Sequence, residues 1–203
     1  MESHRARRIA LTGGIATGKS HVRSRLATLG ASTIDADQLA RDAVAPGTSG
    51  LKTLVQRFGS GVLSPDGTVD RRKLARIIFA DARARRDLED IVHPAVRTAI
   101  DDWFLSLDAA GATLGIADIP LLYETGRDRD FEYVIVAVCA PATQLRRLMS
   151  RDGLSETEAR QRIAAQLPIE EKARRADCVI ATDASFEAVN RAVDSLWREL
   201  ANS

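Results

Sequence analysis

The chain is 203 residues long, 45% apolar and 28% charged, with 29 basic residues against 28 acidic ones. That length suits one compact domain with a small insertion and is ample for a hydrophobic core. A formal net charge of +1 argues against a nucleic-acid binder with a basic surface, and no run approaches the roughly 18 apolar residues of a membrane span.

Two further bulk features bear on function. Cys139 and Cys178 lie far apart, each in an apolar run, as reduced cysteines of a cytosolic protein do. The basic stretch 1–8 has no apolar segment before a small-residue cleavage site, so a signal peptide is not expected and the cytoplasm is the predicted compartment. Of the 29 basic residues, 25 are arginine and only four are lysine. Codon bias explains most of such a skew, and phosphate recognition by bidentate guanidinium forks explains the rest if those arginines gather at one site.

In chain order, Ile9-Ala10-Leu11 predicts a buried strand stopped by glycines. From Gly18 the pattern is helical, with Val22, Leu26 and Leu29 on one face and Gly30 as a stop. Residues 31–34 predict a second strand ending in Asp35-Ala36-Asp37, followed by a helix over 39–45. Residues 49–107 read as mostly helical, with breaks over 59–67 and near Pro94, and the Ala/Arg/Asp run 80–86 reads as a solvated helix face. Residues 114–119 and 133–139 are continuous apolar runs, as parallel strands buried on both faces are. Helices follow over 143–151, 155–166 and 169–176, then a short strand over 179–181. A closing helix from Phe186 carries a core stripe of Val189, Val193, Leu196, Trp197 and Leu200. Alternating strands and helices predict an α/β fold with a parallel sheet.

Gly13-Gly14-Ile15-Ala16-Thr17-Gly18-Lys19-Ser20 matches G-x-x-x-x-G-K-[ST] at every fixed position, between a predicted strand and an amphipathic helix. Gly13 and Gly18 allow the backbone to turn so that successive N–H groups meet phosphate oxygens. Lys19 reaches the β- and γ-phosphates, the Ser20 hydroxyl can ligate Mg²⁺, and the helix N-terminus adds positive potential. The N-K-x-D guanine motif of GTPases is absent, and motor ATPases usually need a longer chain. A 203-residue chain with an arginine-dense helical hairpin near its end looks like a nucleoside or nucleotide kinase, in which lid arginines close over the phosphates.

The sequence resembles the dephospho-coenzyme A kinase family along nearly its whole length. The match runs from Leu11-Thr12-Gly13-Gly14-Ile15 and Gly18-Lys19-Ser20 through Asp35-Ala36-Asp37, Ala40-Arg41, Pro46-Gly47, Asp70-Arg71, Leu74, Ile78-Phe79 and His93-Pro94. It continues through Asp118-Ile119-Pro120-Leu121-Leu122 with Glu124, then Arg147, Arg151-Asp152, Ala159-Arg160, Ile163, Gln166 and Ala176-Asp177. The resemblance implies a P-loop kinase-like parallel sheet with core segments 8–48, 108–142 and 176–203. A helical CoA-binding insertion over 49–107 and a lid over 143–175 complete it. The implied reaction is transfer of a phosphoryl group from Mg²⁺-ATP to the ribose 3′-hydroxyl of dephospho-CoA, the last step of CoA synthesis. The alternatives are another small-metabolite or nucleotide kinase on the same fold, or a non-catalytic ATP sensor. No nucleic acid, membrane or obligate protein partner is expected.

Within that resemblance Asp37 is the general base and an Mg²⁺-linked carboxylate, set against a simpler use as helix N-cap. On strand parity Asp35 shares its face and either supports the same site or bonds neighbouring backbone. Arg147 corresponds to the family's catalytic arginine, and Arg151 and Arg162 are further lid candidates, whereas Arg146, Arg160 and Arg174 read as exposed helix faces. Asp118, at a strand end, is a candidate Mg²⁺ ligand through water or a simple loop cap. Arg71 and His93 fall in the insertion and are candidate substrate contacts, His93 more as architecture than as acid or base. The chain departs from the family at 181–185, Ala-Thr-Asp-Ala-Ser, where members usually carry an Asp-Asn pair. That puts a role for this loop beside adenine in doubt and leaves the catalytic set untouched.

Overall fold

A computed structural model describes residues 5–202, so the first four residues of the basic N-terminal stretch lie outside the described residues. The chain divides into two compact units. One takes in the chain up to Ile34 and from Phe104 onward; the other is Asp35–Trp103.

The first unit is built on a five-stranded sheet. Its strands are β1 (Arg7–Gly13), β2 (Ser32–Asp35), β3 (Leu114–Asp118), β4 (Tyr133–Val138) and β5 (Cys178–Ala181), in the order β2-β3-β1-β4-β5. The central β1 runs parallel to β3 and β4, and β4 parallel to β5. From Ile9 to Gly13 every residue is buried, which is the burial of a strand covered on both faces. On one face, Ile9, Leu11, Ile116, Ile135 and Ile180 pack against α1 (Lys19–Thr28) and α9 (Phe186–Ala201) through Val22, Leu26, Val193 and Leu200. Arg25 of α1 clamps Asp194 of α9 with two hydrogen bonds of 2.6 and 2.8 Å, and the guanidinium holds that carboxyl below its usual range. The remaining helices of this unit are α6 (Pro141–Asp152), α7 (Glu156–Ala164) and α8 (Ile169–Arg174). Ser155 opens α7 with a capping box to Glu158. Both cysteines are free, and burial pushes both thiols up.

The second unit is helical: α2 (Ala36–Asp42), α3 (Ser49–Phe58), α4 (Arg71–Ala80) and most of α5 (Ala82–Ala109). Its core of Val44, Leu54, Val62 and Leu74 explains why it begins at Asp35 rather than at residue 49. Val44, just past α2, is buried with α3 and α4. Gly67, at φ 80°, makes the tight turn that closes the Leu63–Val69 bridge, inside the break expected over 59–67.

The break expected near Pro94 does not occur; α5 continues through it. Proline removes an amide and crowds the carbonyl four residues back, but Pro94 and Asp90 are both exposed, so water can take over that carbonyl. Among the described residues no helix is long and apolar enough to cross a membrane.

Candidate active site

The phosphate loop lies between β1 and α1. Gly13 sits where an added Cβ would lie 2.7 Å from the Ala137 carbonyl of β4, so only glycine lets the two strands approach there. Gly18 is the N-cap of α1 at φ 87°, a left-handed conformation that glycine adopts without steric cost. Between them the loop folds on itself, the Thr17 amide donating to the Gly14 carbonyl at 3.2 Å and the Thr17 hydroxyl at 2.8 Å. The amides of Ala16, Gly18, Lys19 and Ser20 donate to no acceptor among the described residues. Four uncommitted amides at the start of a ten-residue helix, with an exposed Ser20 beside them, form an anion-binding cradle.

The Lys19 ammonium forms an ion pair with Asp118, the last residue of β3, and the Arg23 guanidinium lies 3.5 Å from the other carboxylate oxygen. Asp118 is 1% exposed, so its charge is compensated inside the protein. Among the described residues no three acidic, histidine or cysteine side chains gather as a metal cage.

Arg147, on α6, donates to both the side-chain oxygen (3.0 Å) and the carbonyl (2.8 Å) of Thr182. The Thr182 hydroxyl donates in turn to the Thr17 carbonyl at 2.6 Å, and its oxygen would meet a Cβ on Gly18 at 2.8 Å. The segment 181–185 therefore touches both the phosphate loop and Arg147, two of the places where the catalytic candidates lie. Asp183 accepts from the Ala140 amide, tying the same loop to the start of α6. Arg151 and Arg162 converge on the Asp152 carboxylate, at 2.7 and 3.1 Å, and these guanidiniums hold it below the usual range. Arg146, Arg160 and Arg174 are exposed, as expected, with Arg160 paired to Glu156 one turn away.

Two polar side chains, Lys172 and Gln144, escaped the sequence reading, and a third, Gln166, entered it only within the family resemblance, without a role. Lys172, on α8, is fully buried, with its ammonium 2.7 Å from the Glu124 carboxylate, 3.1 Å from the Pro120 carbonyl and 3.4 Å from the Gly13 carbonyl. Gln144, 4% exposed, donates to the Ile15 carbonyl, and Gln166 accepts from the Ile15 amide. Lysine is rare in this chain, and a lone lysine in a six-residue helix next to acidic residues was the available signal. Nothing local distinguishes the glutamines. Glu124 keeps contact with water, so what Lys172→Met removes is the ammonium's hold on the Pro120 and Gly13 carbonyls. The substitution is accordingly expected to cost about 2 kcal/mol, roughly 4–8 °C in Tm for a chain of this size, read by thermal melting.

In the second unit Asp35 is the N-cap of α2, its carboxylate accepting from the amides of Asp37 at 2.9 Å and Gln38 at 3.4 Å. Of the two uses open to Asp35, bonding neighbouring backbone is the one seen, and two other expectations change. The capping role belongs to Asp35 rather than Asp37, and strand parity does not apply to the pair because the chain turns helical at Ala36. Asp37 lies in the first turn of α2, exposed, and its carboxylate has no hydrogen bond or ion pair among the described residues. Arg71 and His93 meet at one cavity of about 290 Å³, whose apolar wall includes Val44, Leu74, Ile78 and Leu88. Arg71 is the first residue of α4, set by the Asp70 cap, and His93 projects from α5.

The family model described as dephospho-CoA kinase matches residues 7–188. A dephospho-CoA kinase of Geobacter sulfurreducens is 48% identical over 93% of this chain and 96% of its own. A solved structure from Thermus thermophilus superposes with a TM-score of 0.83 at 34% identity, covering 97% of this chain and 98% of that one. A dephospho-CoA kinase structure from Campylobacter jejuni gives 0.65 at 28% identity, with 96% and 97% covered. With a complete phosphate loop on a parallel sheet and a match over almost all of its length, the chain belongs to the dephospho-CoA kinase family.

Proposed function

We propose that this protein transfers the γ-phosphoryl group of ATP to the ribose 3′-hydroxyl of dephospho-CoA, giving ADP and CoA. The observation that carries the reading is the cradle of free amides over Gly13–Ser20, with Lys19 at its mouth, in a chain of this family. ATP would place its β- and γ-phosphates on those amides and draw the Lys19 ammonium from Asp118 to the phosphate oxygens. The acceptor oxygen forms a bond to the γ-phosphorus as the bond to the β,γ-bridging oxygen breaks, and the acceptor's proton passes to the Asp37 carboxylate. An exposed carboxylate with no competing partner suits that task. Arg147 would neutralise charge on the transferring group, with Arg151 and Arg162 released from Asp152 to assist.

The donor set fits Mg²⁺, an ion that keeps several waters and takes phosphate oxygens as ligands. Ser20 would hold it directly, with Asp118 through water and Asp37 as a further linked carboxylate, and the ion would supply neutralisation of phosphate charge. In the second unit, the apolar cavity bounded by Arg71 and His93 suits the extended arm of dephospho-CoA, with Arg71 for an anionic group and His93 shaping the wall. The cytoplasm, where free thiols persist, is its proposed compartment.

A coupled ADP-release assay offering dephospho-CoA, adenosine, AMP and shikimate in parallel tests the reading. Release stimulated by dephospho-CoA above the other three is the expected result. No stimulation by dephospho-CoA would sink the assignment.

A further inference from the structure

Ala16 is the one non-glycine residue with a positive φ, 59°, among the described residues. An alanine Cβ disfavours that conformation, so the loop must be held in it by its surroundings. The peptide group just before this turn is gripped on both edges. Gln166 accepts from the Ile15 amide at 2.7 Å, and Gln144 donates to the Ile15 carbonyl at 2.9 Å.

We infer that Gln144 and Gln166 are positioning residues for ATP: by fixing the Ile15 peptide from both sides they hold the phosphate loop in its left-handed turn at Ala16. The inference rests on the reading of Gly13–Ser20 as the ATP site.

Three features support it. Gly14 has no side chain, and a Cβ there would stand 2.8 Å from the Gln144 amide nitrogen, so the loop's composition makes room for that glutamine. Gln166 is itself fixed, because the next amide, Leu167, donates to Glu124 at 3.0 Å and Glu124 pairs with buried Lys172. Lys172 also reaches the Gly13 carbonyl, so α8 and the segment leading into it hold the loop at its first residue and again at its third. The Ile15 amide thus serves as an anchor, whereas the amides of Ala16, Gly18, Lys19 and Ser20 stay available to phosphate. Gln166 belongs to the pattern of the resembling family, and the loop contact gives it a task.

ATP affinity measured by direct titration tests this without any acceptor present. Gln166→Met keeps the side chain's length but loses the acceptor, and ATP Kd is expected to rise about 5–10-fold, the effect of one lost hydrogen bond. KM for dephospho-CoA should stay within about twofold, a split that general destabilisation does not give. Adding Ala16→Gly to Gln166→Met should return ATP Kd to within about threefold of wild type, since glycine takes the turn unaided. An unchanged Kd in Gln166→Met, or no recovery in the double variant, overturns the inference. If Gln166→Met does not accumulate folded, Gln144→Met reads the same peptide from its carbonyl side with the same expectations. Wild-type protein that binds ATP yet leaves dephospho-CoA unphosphorylated overturns only the acceptor assignment; failure to bind ATP at all overturns both.

Discussion

Asp37→Asn is expected to lower kcat by about 10²–10⁴-fold, the range associated with losing a positioned general base, while ATP Kd stays within about twofold of wild type. Asparagine is nearly isosteric with aspartate but cannot accept the proton of the acceptor hydroxyl. The local structure makes this a clean test. A helix-capping aspartate would confuse the result, since its loss would fray α2 and change turnover indirectly. Here Asp35 holds the cap, accepting from the amides of Asp37 and Gln38, and Asp37 contributes only its backbone to that arrangement. The variant should therefore melt with wild type. Asp35→Ala, in contrast, is expected to cost about 1 kcal/mol of stability through the lost cap. Turnover near the wild-type rate in Asp37→Asn, measured at saturating ATP and dephospho-CoA, would remove Asp37 from the mechanism.

How the capping role falls between two neighbouring aspartates shows which parts of the fold are legible in sequence. The phosphate loop is a local object. Its glycines, its lysine and the Val22/Leu26 stripe lie within one strand-loop-helix unit, so its position and chemistry follow from spacing alone. The five strands read out for the same reason, as short apolar runs between turn residues. The capping difference came from three residues of helix boundary. Predicting the helix from residue 39 leaves Asp37 as the natural cap, and starting it at Ala36 hands the cap to Asp35. Pro94 failed differently, because whether a proline breaks a helix depends on what surrounds the carbonyl four residues earlier, and exposure is not written in the sequence.

Nonlocal polar contacts were the least legible of all. Gln144 and Gln166 meet Ile15 from 129 and 151 residues away, and Thr182 meets Thr17 from 165. No periodicity encodes such pairs. Their common feature is that each satisfies a backbone group that the irregular loop leaves without a helix or strand partner. The arginine skew resolves in the same terms. Arg147 is set by the loop it binds, Arg151 and Arg162 by a shared carboxylate, and Arg160 by an exposed pair one turn away. The lysines carry the more concentrated signal, since two of the four, Lys19 and Lys172, approach the phosphate loop and its flanking strand ends.

Lys19→Ala is expected to have two separable effects, and separating them decides what the lysine does. Without ATP, Lys19 compensates Asp118, a carboxylate only 1% exposed. Truncation still leaves the Arg23 guanidinium 3.5 Å from Asp118, so the ligand-free protein should lose about 2 kcal/mol, less than for a pair with no second cation. With ATP, the ammonium's task passes to the β- and γ-phosphates, and its loss should weaken ATP binding at least about 10-fold and lower kcat about 10²–10³-fold, as removing a charge stabiliser at a transferring group does. Adding Asp118→Asn removes the buried charge that Lys19 was compensating. Tm should then recover most of its loss, whereas ATP affinity and turnover should stay low, because the phosphates still lack their cation. Recovery of turnover together with Tm in the double variant would mean that Lys19 acts by neutralising Asp118 and not by holding phosphate. Melting curves and ATP titration on the same three proteins, wild type, single and double variant, distinguish the two outcomes.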